Sequence, residues 1–321
     1  MEERRTELLP TPYFHTVFTV PHDLNALILG NKRLLLTLLF RAASQTLLQF
    51  GKQNLSGQLD ATMVVHTWDQ TRNAHFHLHC LVPAGALAED GTRWVPTHPR
   101  FLFPVQALSA VFRAKFLAAL QQADSAKALR CAQESPRLGS PAGFTHLLDQ
   151  LYSQAWVVYA KRPCAGPAPV LDCLGRYIHR VAIANHRLLD VRDGRVRFTY
   201  RNRRQGNQVQ TMTLEAHEFI RRFLLHILPH GFQRLRHGGF LANRCKARAL
   251  RQCRQLLGQP PEPPPREKPS AAEWMRQRTG IDITQCPHCG HGPLMRSPLP
   301  PMTDLAPSRE VPPAVPLWDS S

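Results

Sequence analysis

His75-Phe76-His77-Leu78-His79-Cys80-Leu81-Val82 alternates imidazole with apolar side chain and then runs into a continuous apolar stretch. Alternate residues of a strand point to opposite faces, so this octapeptide predicts a strand with His75, His77 and His79 in one row and Phe76, Leu78 and Cys80 in the other. Neutral imidazole is a common ligand for divalent metals, which makes the row a candidate metal site. A solvated sheet face lined by histidines is the alternative.

Upstream, Asp60 to Trp68 is a second β-type run, and Asp69-Gln70-Thr71-Arg72-Asn73-Ala74 between the two is a short polar connection suited to an antiparallel pair. Pairing symmetric about that loop sets His66 opposite His77 on the same face, as a third ligand or a metal-orienting group. A slip of one residue would reverse the face.

Further out, Tyr13 to Val20 alternates like a strand and Asn31 to Phe50 has helical apolar spacing, so the chain opens β-α-β-β. Val105 to Ala123, Phe144 to Ala160 and Val170 to Ala184 read as helices. Arg187 to Arg192 and Arg195 to Tyr200 flank Asp193-Gly194, a hairpin turn in which both central positions take positive φ, and Gln208 to Leu214 adds a strand to the same sheet. From Ala216 the pattern turns helical and basic, with Arg221, Arg222, Arg234, Arg236, Arg244, Lys246 and Arg248 as candidate phosphate contacts and few balancing acids between Phe219 and Leu257. A solvated helix face is the plain alternative. The prolines from Pro260 to Pro265 mark a linker, and the remainder to Ser321 is expected to be largely disordered.

The chain has 321 residues, enough for one substantial domain with a tail, and 40 Lys and Arg against 23 Asp and Glu give a formal charge of +17. Nucleic acid is the commonest partner of such a surface. The N-terminus lacks a signal peptide's apolar core, and no run approaches the roughly 20 apolar residues of a membrane span, so a cytoplasmic, nucleoid-associated protein is expected. The 8 cysteines have no secreted-scaffold rhythm and are expected to be reduced.

A histidine-metal site beside a basic surface suggests phosphodiester chemistry, which needs a nucleophile, either water or a tyrosine hydroxyl. Of the 5 tyrosines, Tyr13 and Tyr200 fall in strand patterns, while Tyr152 and Tyr159 fall in an apolar helix with Trp156 and read as core. Tyr177 sits beside the buried stripe Leu171, Leu174, Ile178 and Val181, sharing a face with Cys173 and Arg180. Arg180 could hold the phosphate or favour the phenolate. On spacing alone, a tyrosine at the edge of a core and a nucleophile are both open.

Four elements, Leu9-Pro10-Thr11-Pro12-Tyr13-Phe14-His15, His75 to Val82, Gly175-Arg176-Tyr177-Ile178-His179-Arg180-Val181-Ala182-Ile183 and Gly239-Phe240-Leu241-Ala242-Asn243-Arg244, closely resemble the rolling-circle transposases of the insertion sequence 91 family. The resemblance spans roughly residues 8 to 258. It implies an α+β fold of the His-hydrophobic-His endonuclease type, with a central antiparallel sheet of about five strands flanked by helices. It also implies a Mg²⁺ or Mn²⁺ ion at His77 and His79, which leaves His75 as an outer neighbour of the row and His66 as the cross-strand candidate that depends on register. Tyr177 would be the nucleophile, and Arg176 would lie among the DNA contacts. Family members cut one strand, keep the 5′ phosphate on tyrosine and leave a 3′ hydroxyl. The implied partner is single-stranded DNA at the ends of the protein's own element.

Residues 8–215 are thus expected to form the catalytic domain, 216–258 a basic helical extension of it, and 259–321 the tail. Two departures stand out. Many members carry two tyrosines four apart, and the first of those positions is Cys173 here, which reads as a packing residue and leaves Tyr177 to act alone. Members also commonly begin with a cysteine-rich zinc-binding domain, whereas only a few charged residues precede Leu8, so a truncated copy that only binds DNA is the alternative function. Near the C-terminus Cys286 and Cys289 have the spacing of a zinc half-site, which Cys245 and Cys253 could complete only by folding back.

Overall fold

The structure, a computed structural model, describes residues 7–130, 140–164, 183–202, 205–242, 245–262, 269–286, 289–290 and 292. It divides into two compact units, Met1–Pro263 and Pro264–Ser321. In chain order the first unit contains β1 (Tyr13–Thr19), α1 (Asn25–Gly30), α2 (Lys32–Leu55), β2 (Gly57–Gln58), β3 (Asp60–Trp68), β4 (Ala74–Pro83), β5 (Gly85–Ala88) and β6 (Trp94–Pro96). There follow α3 (Val105–Ser125), α4 (Pro141–Ser153), β7 (Val158–Cys164), β8 (Leu188–Arg192), β9 (Arg195–Asn202), β10 (Gln208–Glu215), α5 (Ala216–Leu224), β11 (Leu235–Gly239) and α6 (Lys246–Leu256). The second unit carries α7 (Ala271–Thr279).

Five strands in the order β11-β3-β4-β1-β7, antiparallel throughout, form the central sheet. The fold is the expected α+β one. Its packed face follows from the alternation in β4: Phe76, Leu78 and Cys80 are buried with Phe14 and Phe18 of β1 against α2 and α3. Phe18 meets Phe112 of α3 edge-on at 5.0 Å, and Trp156 fits against Phe112 and Phe116, each at 5.4 Å. Burial alone explains why the Cys80 thiol is held far above the usual range, so it acts as an apolar filler. Helix α2 is long and apolar enough to cross a membrane by length and composition, but Leu35, Leu36, Leu39 and Leu47 are buried in this core.

Two strands of the central sheet replace segments that read as helical. Helix α4 starts at Ser140, whose hydroxyl accepts from Gly143 N, with Pro141 in the first turn. It stops at Ser153, where the buried Trp156 indole donates to Leu151 O at 3.0 Å, and the chain turns into the β-branched and aromatic run of β7. Tyr152 and Tyr159 are therefore not core residues but 42% and 54% exposed. Between α5 and α6 the chain returns to the sheet as β11, pairing His237 with Thr62 and Gly239 with Asp60. Gly239 has φ +101°, and a Cβ there would lie 1.9 Å from Leu59 O, so this close approach admits only glycine.

The Asp193-Gly194 hairpin forms as read, with φ of 48° and 70°, and β10 extends it into a separate sheet ordered β10-β9-β8. In the second unit the tail expected to be disordered contains α7. Its start is a capping box between Ser270 and Glu273 and its end is Gly280 at φ +73°, local signals strong enough to set a helix amid prolines.

Candidate metal and DNA-processing site

The β3-β4 loop fixes the register on which the site depends. The Asp69 carboxylate accepts from Thr71 N at 2.8 Å and Asn73 N at 2.9 Å, closing the turn on itself. His66 then pairs with His77 across the two strands. His66, His77 and His79 bring ligand nitrogens within 4.8 Å of one another on the face opposite the packed core. His75 stands outside this triad, stacked on His22 at 5.1 Å.

Each candidate ligand on β4 is oriented through one of its ring nitrogens. His77 Nδ1 lies 3.1 Å from His75 O, so it carries the proton and donates to that carbonyl, which gives Nε2 the lone pair. His79 Nδ1 lies 2.8 Å from His15 Nε2, with the two rings stacked at 5.0 Å. Burial, and after it the charge of Lys161, push His15 down to about 4, so both rings can share one proton between neutral imidazoles, and a metal at His79 Nε2 selects the tautomer in which His79 Nδ1–H donates to His15 Nε2. His79 also keeps its lone pair on Nε2.

His66 is held from the other side. Trp68 stacks on it at 4.7 Å, and the Arg234 guanidinium covers Trp68 at 5.0 Å while donating from Nε to Val65 O. The buried His226 flanks Trp68 at 5.7 Å, close enough to Arg72 O to donate through Nε2, while Thr67 Oγ1 donates to Nδ1. Burial lowers its tendency to protonate. Of these supports, Arg234 was a candidate from sequence; His15, Trp68 and His226 were not. His15 did show a signal, because in the Tyr13 to Val20 alternation it falls among the residues opposite Phe14 and Phe18.

The other basic candidates disperse. Arg221 and Arg222 both pair with Glu218, and Arg222 also donates to Thr71 O. Arg236 lies between Phe40 and Phe232, at 4.4 and 4.9 Å. Lys246 pairs with Glu7 at 2.5 Å, and Arg248 lines a surface groove with Lys52 and Asp90. The balancing acids missing between Phe219 and Leu257 thus come from the flanking Glu218 and Glu262 and from Glu7 at the far end of the chain. The Arg251–Glu262 pair, with both side chains more than half exposed, is of the weak kind that can exchange for phosphate, whereas the Arg222–Glu218 and Lys246–Glu7 pairs are largely buried. Arg176, Tyr177, Arg180, Cys173 and Arg244 lie outside the described residues. In the second unit Gly290 N donates to Cys286 O at 2.9 Å, a tight turn joining Cys286 and the exposed Cys289; among the described residues no third ligand joins them. Cys253 is fully buried with Leu9 and Phe240, as a packing residue.

A model of the Y2_Tnp family, described as "Putative transposase", matches residues 61–249, which include the whole triad. The chain belongs to this transposase family. It is similar to "Putative transposase y4qJ" of Sinorhizobium fredii (strain NBRC 101917 / NGR234), with 44% identity over 300 residues, 92% of this chain and 75% of that protein. The "Transposase for insertion sequence element IS801" of Pseudomonas savastanoi pv. phaseolicola is 28% identical over 293 residues, 87% of this chain and 66% of its own length. Among solved structures, the conjugative relaxase TrwC in complex with mutant oriT DNA aligns with 34% of this chain and 44% of its own, at 20% identity and a TM-score of 0.28.

Proposed function

We propose that this transposase nicks single-stranded DNA by transesterification, with Tyr177 as nucleophile and His66, His77 and His79 as holders of a divalent ion, and thereby drives rolling-circle transposition of its own element. The observation that carries the reading is the triad, three candidate ligand nitrogens within 4.8 Å on the face of an antiparallel sheet opposite the core, in a chain of a transposase family. Three neutral nitrogen donors suit Mn²⁺ better than Mg²⁺, which prefers oxygen. An ion held there supplies Lewis-acid polarisation of a phosphate oxygen.

The protein's own residues carry the bond changes. The Tyr177 phenolic oxygen bonds to phosphorus as the bond from phosphorus to the 3′ oxygen breaks. The phenolic proton is lost and the 3′ oxygen takes one up, so the reaction conserves phosphodiester bonds and needs no nucleotide cofactor. Arg180, one helical turn from Tyr177 in the sequence pattern, steadies the phosphate. Arg176, Arg221, Arg222, Arg244, Lys246 and Arg248 add backbone contacts, and Arg234 and Arg236 position their aromatic neighbours as well. The segment bearing Tyr177 is joined at both ends to the site's surroundings: β7 pairs Lys161 with His15, and Arg187 donates to Gln70 O in the β3-β4 loop.

The test is incubation with end-labelled single-stranded DNA from the element's termini and Mn²⁺. A covalent protein-DNA adduct is expected for the wild type and none for Tyr177→Phe. An adduct that persists in Tyr177→Phe would sink the nucleophile assignment, and cleavage without an adduct would make water the nucleophile. Salt-sensitive binding with no metal-dependent cleavage would identify a copy that only binds DNA.

A further inference from the structure

The central sheet's histidine face carries a feature that the nicking chemistry alone does not use. Across three neighbouring strands Tyr159 pairs with Val17 and Val17 with His79, so all three project from the same face. Lys161, two residues on, pairs with His15 on that face as well. Tyr159 is 54% exposed and Lys161 is exposed, whereas Val158, which precedes Tyr159 and points to the other face, packs on the core. Two strand spacings, about 10 Å, separate Tyr159 from His79.

The other described tyrosines are accounted for in different ways. Tyr13 is buried and its hydroxyl accepts from Leu9 N, Tyr200 donates to Gln210 Oε1, and Tyr152 lies on α4, outside the sheet. Trp68, the large aromatic on the other flank of the triad, is already sandwiched between His66 and Arg234. That leaves Tyr159 as the exposed ring beside the triad, with a cation next to it on the outermost strand.

We propose that Tyr159 and Lys161 form a landing platform for single-stranded DNA, Tyr159 stacking on a base and Lys161 contacting the neighbouring phosphate, so that the strand is held across β7 and β1 as it reaches the triad. The proposal rests on the single-strand nicking reading above. A single strand is the favoured occupant because its bases present open π-faces, which a duplex keeps stacked inside, and because a protein of charge +17 attracts a polyanion. Stacking of this kind tolerates any base, so the platform supplies grip and direction, and sequence choice comes from elsewhere.

Fluorescence anisotropy with a fluorescein-labelled thymidine homopolymer, in the presence of a chelator so that no cutting occurs, reads the platform directly. Tyr159→Ala is expected to weaken binding about 10-fold, and Tyr159→Phe, which keeps the ring, by less than about 2-fold. Lys161→Ala is expected to lower the salt dependence by about 0.7 in the slope of log affinity against log salt. Tyr152→Ala, an exposed tyrosine off the sheet, is the control and leaves both quantities unchanged.

Wild-type affinity and salt slope in both Tyr159→Ala and Lys161→Ala would overturn the platform while leaving the nicking reading standing. No binding of the homopolymer by the wild type would overturn the single-strand reading and the platform with it. In the adduct assay, loss of the covalent complex in Tyr159→Phe would make Tyr159 a nucleophile and overturn the stacking role, whereas a yield within about 2-fold of wild type supports it.

Discussion

Strand β4 has two faces with opposite employment. Phe76, Leu78 and Cys80 are 1%, 0% and 0% exposed against α2 and α3, while His75, His77 and His79, interleaved with them, are half-buried on the other face. The packed face derives its stability from removing apolar surface from water. The histidine face gains little from burial; its imidazoles are held by hydrogen bonds and ring stacking from His75, His15 and Trp68. The contrast teaches that one short strand can be fixed by one row of residues and leave the other row available for the proposed site, so the two sets of substitutions should separate cleanly.

The largest effect expected is on the histidine face. His79→Ala should reduce metal-dependent adduct formation by about 1000-fold while moving the melting temperature little, because a partly exposed imidazole contributes little packing. Rate measured by adduct yield and stability by thermal unfolding check it, and equal losses in both would collapse the distinction between the faces. Leu78→Ala is the mirror experiment: about 2–5 kcal/mol of stability lost in denaturant unfolding, with adduct yield per folded molecule retained.

A smaller effect tests whether the histidine face is organised beyond its ligands. His15→Ala should weaken Mn²⁺ binding by about 10- to 100-fold in calorimetric titration, and His15→Gln, which can still accept from His79 Nδ1–H, should recover part of it. Unchanged affinity in His15→Ala would reduce His15 to filler.

An effect of another kind, read against pH, lies at the far end of β3, where Asp60 is buried and accepts from Leu241 N at 3.1 Å. Burial raises this carboxyl from 3.8 to about 8, against the opposing pull of the Leu241 and Ala61 amides and Lys246. Its folded value lies above its unfolded one, so the folded state binds the extra proton between these values, and stability falls as pH rises from about 4 to about 8. Asp60→Asn keeps an acceptor for Leu241 N and removes the titration. Its denaturation midpoint should vary less than the wild type's between pH 5 and 8.5; parallel pH profiles would exclude Asp60 as the cause.

Legibility in the sequence followed the range of the interaction. The β3-β4 pair, the His66 to His77 register and the Asp193-Gly194 turn depend on alternation and on turn residues close in sequence, and each was readable. Strands β7 and β11 were read as helical, because Leu147, Leu148 and Leu151 lead smoothly into Trp156 and Val158, and because arginines at close spacing mimic a basic helix. Both are edge strands, and what makes them strands is the partner alongside. The supporting shell failed to show for the same reason: His15 and His79 are 64 residues apart, and neither carries a local sign of the other.

The sequence by itself determined that three imidazoles share one side of a strand, that a polyanion is the natural partner of so basic a chain, and that Tyr177 stands in a family-like motif. Only the tertiary structure decided which imidazoles converge, by pairing β3 with β4 and β4 with β1, and only it turned Tyr159 from an apparent core residue into an exposed ring beside them. The physical reason is that side-chain direction along a strand is set by the backbone's two-residue period, whereas the meeting of side chains across strands is set by long-range register.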